Sequence, residues 1–332
     1  MKYKNFGHGT RRNALGQILS AAFVSLFAGT SFAQKFPAKP LKIVVGSPPG
    51  ALGDILARLL AKKLSDSSGQ PVIVDNKAGA TGILAADAVA KSPNDGYTLL
   101  LAPDSTFVVN RFVYKTLPYD SNKDFSPVGM VSRAILVMIV NPKLGARSLD
   151  DFVKYVRANP GAVNFGSGGV GHVTHTSMEH LCDRLDLKML HVAYKGTTPA
   201  MQAILSNEIG AMIIGLAEAV PHIKAGNVVA LGVGGQSSLD ALPGVPPLKN
   251  YHPELDASVW FGLFAPAGTP AEAITYLNSQ LNKSITQADM KKSFSDLGMS
   301  ETPGLPAAVE SVISSDVKKF GPLIKSLGIT AQ

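Results

Sequence analysis

The chain has one cysteine, Cys182, in 332 residues, so no disulfide can close within it in any compartment. Its helical setting, Met178 to Cys182, reads as buried filler. Charge is also scarce: 17% of residues are Asp, Glu, Lys or Arg, against a usual figure of about 25%. The formal charge of +7 overstates the basic character. Lys2, Lys4, Arg11 and Arg12 stand in the first 33 residues without an acid, which leaves 27 basic against 24 acidic groups elsewhere. No basic stripe interleaved with aromatics is present, so nucleic acid is not an expected partner. There is no HExxH, no Cys/His set at zinc spacing, no GxxxxGK[ST] and no GxSxG. Metal catalysis, nucleotide hydrolysis and α/β-hydrolase chemistry therefore have no motif to rest on, and no cofactor is expected. His172 and His175 are three apart but lack a third ligand.

Long apolar runs are missing except near the start. Met1 to Ala33 reads as an export signal: basic residues up to Arg11 and Arg12, an apolar run from Leu15 to Ala28, and Ser31-Phe32-Ala33 as a cleavage site. Gln34 would begin the mature chain. The run from Ala14 to Ala28 is interrupted by Gly16, Gln17 and Ser20 and falls short of the roughly 20 residues that span a bilayer. Thr10 to Leu15 also fits a twin-arginine signal, and an ordinary secretory signal fits the same residues.

Glycine (32) and proline (22) are plentiful, and they punctuate a repeating grammar. A buried strand at Leu41 to Val45 leads to the loop Gly46 to Gly50 and a helix over Asp54 to Leu64. Val72 to Val74 leads to Asn76 to Gly82 and a helix through Val89, and Tyr97 to Leu101 leads to Ala102 to Thr106. A second set has strands at Ala134 to Val140, Val163 to Phe165, His191 to Ala193, Ala211 to Ile214 and Val228 to Val233. Its helices are Ser148 to Val156, His172 to Leu185, Pro199 to Leu205 and Val220 to Ala225. Val259 to Ala265 and helices over Pro270 to Thr286 and Pro306 to Lys325 are too few to form a third sheet and should pack on the first set. The pattern predicts an α/β protein of two lobes, each a mainly parallel sheet flanked by helices. Crossovers are expected near Ser132 to Ala134 and Leu255 to Ser258, with a cleft between the lobes.

In such sheets, ligands sit at the carboxyl ends of strands, where glycine lets backbone N–H groups approach and each helix start carries about half a positive charge. The candidate binding residues lie there: Ser47, Pro49, Gly50 and Ala51; Gly79 and Ala80; Ser105 and Thr106; Gly166, Ser167, Gly168 and His172; and Tyr194, Gly196 and Thr197. Gly166, Gly168 and Gly171 also match GxGxxG. The acid wanted about 20 residues on would be Asp186, which sits at a helix end, so a dinucleotide site is not supported. Ser105, Ser167, His172, His175, Asp54, Asp104 and Glu179 supply parts for catalysis, but no spacing organises them. Asp54 reads as a helix cap.

At these loops the sequence resembles the tripartite tricarboxylate transporter substrate-binding family, the Bug family of solute receptors, from Phe36 to about Leu327. The carrying strings are Pro40 to Val45 with Pro48-Pro49-Gly50 and Asp54, Asp75 to Ala80, and Asp87 to Leu99. They continue with Leu117 to Asp120, Lys123 to Val128, Phe165 to Gly171 with His175, Tyr194-Lys195-Gly196, Pro221 to Gly226, and Trp260 to Pro270. The resemblance implies a type 2, Venus-flytrap periplasmic binding protein: a signal peptide over 1–33, lobe I from 34–133 plus 256–332, and lobe II from 134–255. It implies capture of a small organic carboxylate through backbone amides, hydroxyls and water, with transient contact to membrane permease subunits. Several positions depart from the family pattern: Ala51 and Gly53 in the first loop, Ala78, Phe107, His172 after the glycine run, and Ile214 where a pocket Asp is often found, a loss that would remove a partner for a ligand ammonium group and argues against amino acids. Phe107 and Ile214 are expected to make the pocket more apolar, which favours a carboxylate with an aromatic or aliphatic body. Ser167 is expected to donate to the ligand. His172 either adds an imidazole donor, with affinity falling from about pH 5.5 to 8 where it binds as an imidazolium, or is a surface helix residue that points away from the cleft. The alternatives are an exported enzyme using Ser167 or His172, and a receptor that feeds a sensor kinase.

Overall fold

The computed structural model describes residues 1–3, 36–235, 239 and 241–331. The export signal, apart from Met1 to Tyr3, lies outside the described residues. The chain runs β1 (Leu41–Val45), α1 (Leu52–Ser68), β2 (Val72–Asn76), α2 (Ile83–Ala90), β3 (Thr98–Pro103), α3 (Asp104–Phe107), α4 (Asn110–Val113) and β4 (Phe125–Val140). It continues with α5 (Leu149–Ala158), β5 (Asn164–Ser167), α6 (Val173–Arg184), β6 (Leu190–Ala193), α7 (Thr197–Leu205), β7 (Ala211–Gly215), α8 (Leu216–Lys224) and β8 (Val229–Val233). The last elements are β9 (Ser258–Pro266), α9 (Ala271–Ile285), α10 (Ala288–Asp296), β10 (Met299–Glu301) and α11 (Pro306–Ser326).

Local chemistry explains the helix ends. Ser148 and Asp151 form a reciprocal capping box at the start of α5, each satisfying an amide that the helix leaves without a partner. Gly69 stops α1 in a left-handed conformation, φ 69°, which suits a residue without Cβ. Pro306 opens α11, where its missing N–H costs nothing.

The strands form two sheets joined through β4. In lobe I the order is β2-β1-β3-β9-β4, with β10 also on β4. In lobe II it is β4-β7-β5-β6, with β8 on β4. Phe125 to Ile135 of β4 pair with β9, and Leu136 to Val140 pair with β7 and β8. The expected α/β, two-lobed plan is present, but the sheets are mixed rather than mainly parallel. β2, β1 and β3 are parallel, as are β6, β5 and β7. β4 and β9 run antiparallel to their neighbours, because one carries the chain into lobe II and the other brings it back. β4 begins at Phe125, well before the expected Ala134. Register shifts at Pro127/Gly129 and Met130/Ser132 break its alternation, as bulges do.

The C-terminal segment packs on lobe I, where Val309, Ile324 and Ile329 share a core with Val44, Leu100 and Trp260. Phe107 belongs to this core, stacked on Phe264 at 4.0 Å and edge-on to Phe125 at 5.3 Å. Ile214 is fully buried in the core of lobe II. Neither lines the interlobe cleft, so the expectation that they make it more apolar is corrected. Cys182 is buried, and burial pushes its thiol up to about 12, which leaves it unreactive.

Candidate functional site

Two adjoining cavities, of about 410 and 370 Å³, lie where the strand ends of the two lobes meet. They share Ser47, Ala51, Pro103, His172 and Thr197. The first is walled by the glycine loops of both lobes: Gly46, Gly79 and Gly82 from one side, Gly168 and Gly196 from the other. Gly46 is required there, since a Cβ would fall 2.5 Å from the Gly82 Cα. At the start of α1, a Cβ on Gly53 would lie 2.5 Å from the Ser47 Oγ. The Ser47 hydroxyl thus occupies the space beside the first helical turn, where the amides of Gly53 and Asp54 have no acceptor within the helix. Asp54 anchors the loop, accepting from Gly50 N–H at 2.9 Å, Arg58 Nε at 3.0 Å and Asn76 Nδ2 at 2.9 Å. Burial opposes its ionisation, yet these hydrogen bonds hold its carboxyl below the ordinary value.

The opposite loop rests on a stack of rings. His175 and His191 lie parallel with centroids 3.6 Å apart, and Phe165 stacks on His191 at 4.9 Å. The Ser167 Oγ lies 2.6 Å from His191 Nε2, donates to the Gly169 carbonyl and accepts the Gly169 N–H. It is fully buried and lines neither cavity, so its hydroxyl shapes the loop and does not meet a ligand. The expected donor role of Ser167 is corrected accordingly. A nucleophilic role fails for the same reason, despite the adjacent imidazole. Burial, then the neighbouring His175, lowers His191 to about 4.

His172 caps α6 and borders both cavities. Its Nδ1 accepts the Thr174 N–H at 3.3 Å and the Thr174 hydroxyl at 2.9 Å, while that hydroxyl oxygen accepts the Gly168 N–H at 3.0 Å. These bonds assign the proton to Nε2. Burial, with His175 nearby, pulls His172 down to about 4. The ring is therefore neutral, which overturns the imidazolium alternative and the fall in affinity between about pH 5.5 and 8 tied to it.

The second cavity has a different character. Leu52, Leu136, Val259 and Phe261 wall it, and Glu218 from α8 enters it. Glu218 Oε2 accepts the Thr197 hydroxyl at 2.6 Å, and Oε1 accepts the Leu52 N–H at 3.1 Å, so this carboxyl ties lobe II to the first turn of α1. Burial pushes Glu218 up to about 7, against the two hydrogen bonds that favour its ionised form. Gly215 makes room for it, since a Cβ there would sit 3.0 Å from Oε1. Further contacts hold the lobes closed: Thr81 Oγ1 donates to the Val170 carbonyl at 2.8 Å, and Thr198 Oγ1 to the Pro49 carbonyl at 3.2 Å.

Of the expected site residues, Ser47, Ala51, Gly79, Gly168, His172, Gly196 and Thr197 border the cavities. Pro49, Gly50 and Ala80 lie beside them in the loops without lining them. Ser105 and Thr106 are buried in lobe I, Gly166 packs against Ile209, and the Tyr194 hydroxyl turns away to Glu208 at 3.0 Å. The residues the sequence reading missed are Thr81, Thr174, Phe261 and, above all, Glu218, whose one available signal was an acid in the first helical turn after a buried strand. No Lys or Arg lines either cavity among the described residues. A larger cavity of about 690 Å³ lies between α6, α11 and the returning chain at Leu255 to Ser258. Its walls are mostly apolar, and its acids are Asp104 and Asp256; Asp104 has a buried Oδ1 without a partner and is pushed up to about 7 by burial. An anion gains nothing there.

The sequence profile described as "Tripartite tricarboxylate transporter family receptor" matches residues 56–329. The protein BugT of Bordetella pertussis is 34% identical over 298 residues, covering 89% of this chain and 91% of that one. Among solved structures, Rpa4515 of R. palustris with adipate superposes with a TM-score of 0.86 at 28% identity, covering 89% of this chain and all of the other. MatC of Rhodopseudomonas palustris with bound malate gives 0.82 at 27%, covering 87% of this chain and all of the other. These relatives are solute-binding proteins, not enzymes. With its closed two-lobed fold and its glycine-lined cleft, the chain belongs to the tripartite tricarboxylate transporter receptor family, the solute-binding proteins that include the Bug proteins.

Proposed function

We propose that this chain is an exported, periplasmic receptor that closes lobe I (34–133 with 256–332) and lobe II (134–255) on a small organic carboxylate and presents it to a tripartite tricarboxylate-type permease. The observation that carries the reading is a cleft rich in donors and, among the described residues, free of Lys and Arg. Ser47, Thr81, His172, Thr197 and the glycine loops line the 410 Å³ cavity. A hydrogen bond to a charged group contributes about 1.5–3 kcal/mol, so three or four such donors can hold a carboxylate without Lys or Arg. The adipate and malate carried by two structural relatives are ligands of that chemistry. Closure would bend the molecule where β4 changes sheet at Ile135 and Leu136 and where the chain returns at Ala257 and Ser258. The export signal over 1–33, with cleavage after Ala33, supplies the route to the periplasm.

The test is a thermal-shift screen of mono-, di- and tricarboxylates, followed by recovery of the stabilising acid after long incubation. Stoichiometric binding with the acid unchanged is expected, together with a smaller radius of gyration by solution scattering if the free protein opens. Steady conversion of the acid would overturn the receptor reading.

A further inference from the structure

A receptor for carboxylates has a physical reason to keep other acids out of its cleft, because a second anion a few ångströms from the ligand repels it. This cleft nevertheless holds Glu218, and the surrounding structure is shaped to keep it there. Gly215 leaves the volume that its Oε1 fills, the Leu52 amide meets one carboxyl oxygen, and the Thr197 hydroxyl meets the other at 2.6 Å. No cation answers it. Arg58 and Asn76 are spent on Asp54, the ring of His172 is neutral with Nδ1 committed to Thr174, and no Lys or Arg lines the cavity among the described residues. Each oxygen of Glu218 uses one acceptor position on the protein and keeps another. A buried acid without a cationic partner is costly, and a ligand group that donates to it recovers that cost. A ligand carboxylate placed there adds to it.

We infer that Glu218 forms a donor-selecting subsite, so that the ligand turns its one carboxylate to the glycine loops and presents a hydrogen-bond donor, an ammonium best of all, to Glu218 at the far end of the cleft. The inference rests on the receptor reading above and narrows it: the favoured class is an amino- or hydroxy-monocarboxylate with an aliphatic body against Leu52, Leu136, Val259 and Phe261, and dicarboxylates are disfavoured.

The experiment is calorimetric titration at about pH 8.5, where Glu218 is ionised, with matched series of one body length each, the six-carbon series being 6-aminohexanoate, 6-hydroxyhexanoate, hexanoate and adipate, repeated with the three- and four-carbon equivalents. At the length that fits, the wild type should prefer the amino acid over the diacid by about tenfold or more, the worth of one charge-assisted hydrogen bond. Glu218→Gln keeps the size of the side chain and should bring that ratio toward unity; Glu218→Ala should do the same if Gln perturbs the fold, which melting curves of both variants report. A diacid bound as tightly as the amino acid by wild type, or a ratio unchanged in both variants, would overturn the subsite. So would failure of every series to bind. A positive result in the wider carboxylate screen alongside that failure would show that the receptor reading stands and only the subsite falls.

Discussion

The two cavities of the cleft share a border of five residues but solve different problems. The larger is lined by main chain, with Gly46, Gly79, Gly82, Gly168 and Gly196 drawn from four loops. The smaller is lined largely by apolar side chains, Leu52, Leu136, Val173, Val259 and Phe261 among them, with Glu218 entering beside them. Backbone amides cannot titrate and do not lose rotamer freedom on binding, so the first end is insensitive to pH and permissive of any carboxylate. The second end carries a group that burial pushes to about 7, and it tells one ligand body from another. General affinity for anions resides in the loops, and discrimination resides in the walls.

Forcing the loops apart should have the largest effect. Gly46→Ala puts a methyl group 2.5 Å from the Gly82 Cα, a backbone contact that cannot yield as a side chain would. A loss of about 2–4 kcal/mol in urea unfolding is expected, with carboxylate binding abolished. At the other end, Glu218→Gln should change how stability depends on pH. Folded Glu218 keeps its proton until about pH 7, whereas an unfolded Glu releases it near about 4.3. The folded state therefore binds more protons across that window, and wild-type stability falls as pH rises through it. The substitution should remove up to about 3 kcal/mol of that fall, read as the difference between unfolding at pH 4.5 and pH 7.5. His172, lowered to about 4, has the opposite sign, its contribution being lost as pH falls below about 6.5, so the slope should be measured in variant and wild type side by side.

Smaller effects separate the two serines. Ser47→Ala removes a hydroxyl that borders both cavities and should weaken carboxylate binding by about 1–2 kcal/mol, measured by calorimetry. Ser167→Ala, which disturbs the ring stack beneath the loop, should lower the melting temperature and move affinity by less than about 0.5 kcal/mol. Equal losses of affinity in the two variants would show that the loop side facing His191 also meets the ligand.

Much of the plan was legible in the chain. Strand, glycine loop and helix recur in β1 to α1 and β5 to α6 with the spacing of a parallel sheet, and seven of the fifteen expected site residues border the cleft. The misses have a common physical cause. A loop sequence places a residue at a strand end, but no periodicity tells which way its side chain turns, so Ser105, Ser167 and Tyr194 were assigned to a cleft that they back away from. The first half of β4 was hidden by Pro127, Gly129 and two register shifts. Glu218 was hidden because an acid in the first turn of a helix ordinarily serves the helix dipole. Only the approach of α1 from the other lobe, with its Leu52 amide aimed at Oε1, turns that acid into part of a binding site.

The place of β9 has a consequence for the order in which the molecule can be assembled. It lies between β3 and β4, yet it is made after all of lobe II, so a chain emerging from the ribosome has β1, β2 and β3 in hand with one sheet edge bare until Ser258 to Pro266 arrive. The core of lobe I waits longer still, for Val309, Ile324 and Ile329. Lobe I is therefore the first begun and the last completed, and a nascent chain halted anywhere before about residue 258 presents an open strand edge to whatever factor holds it.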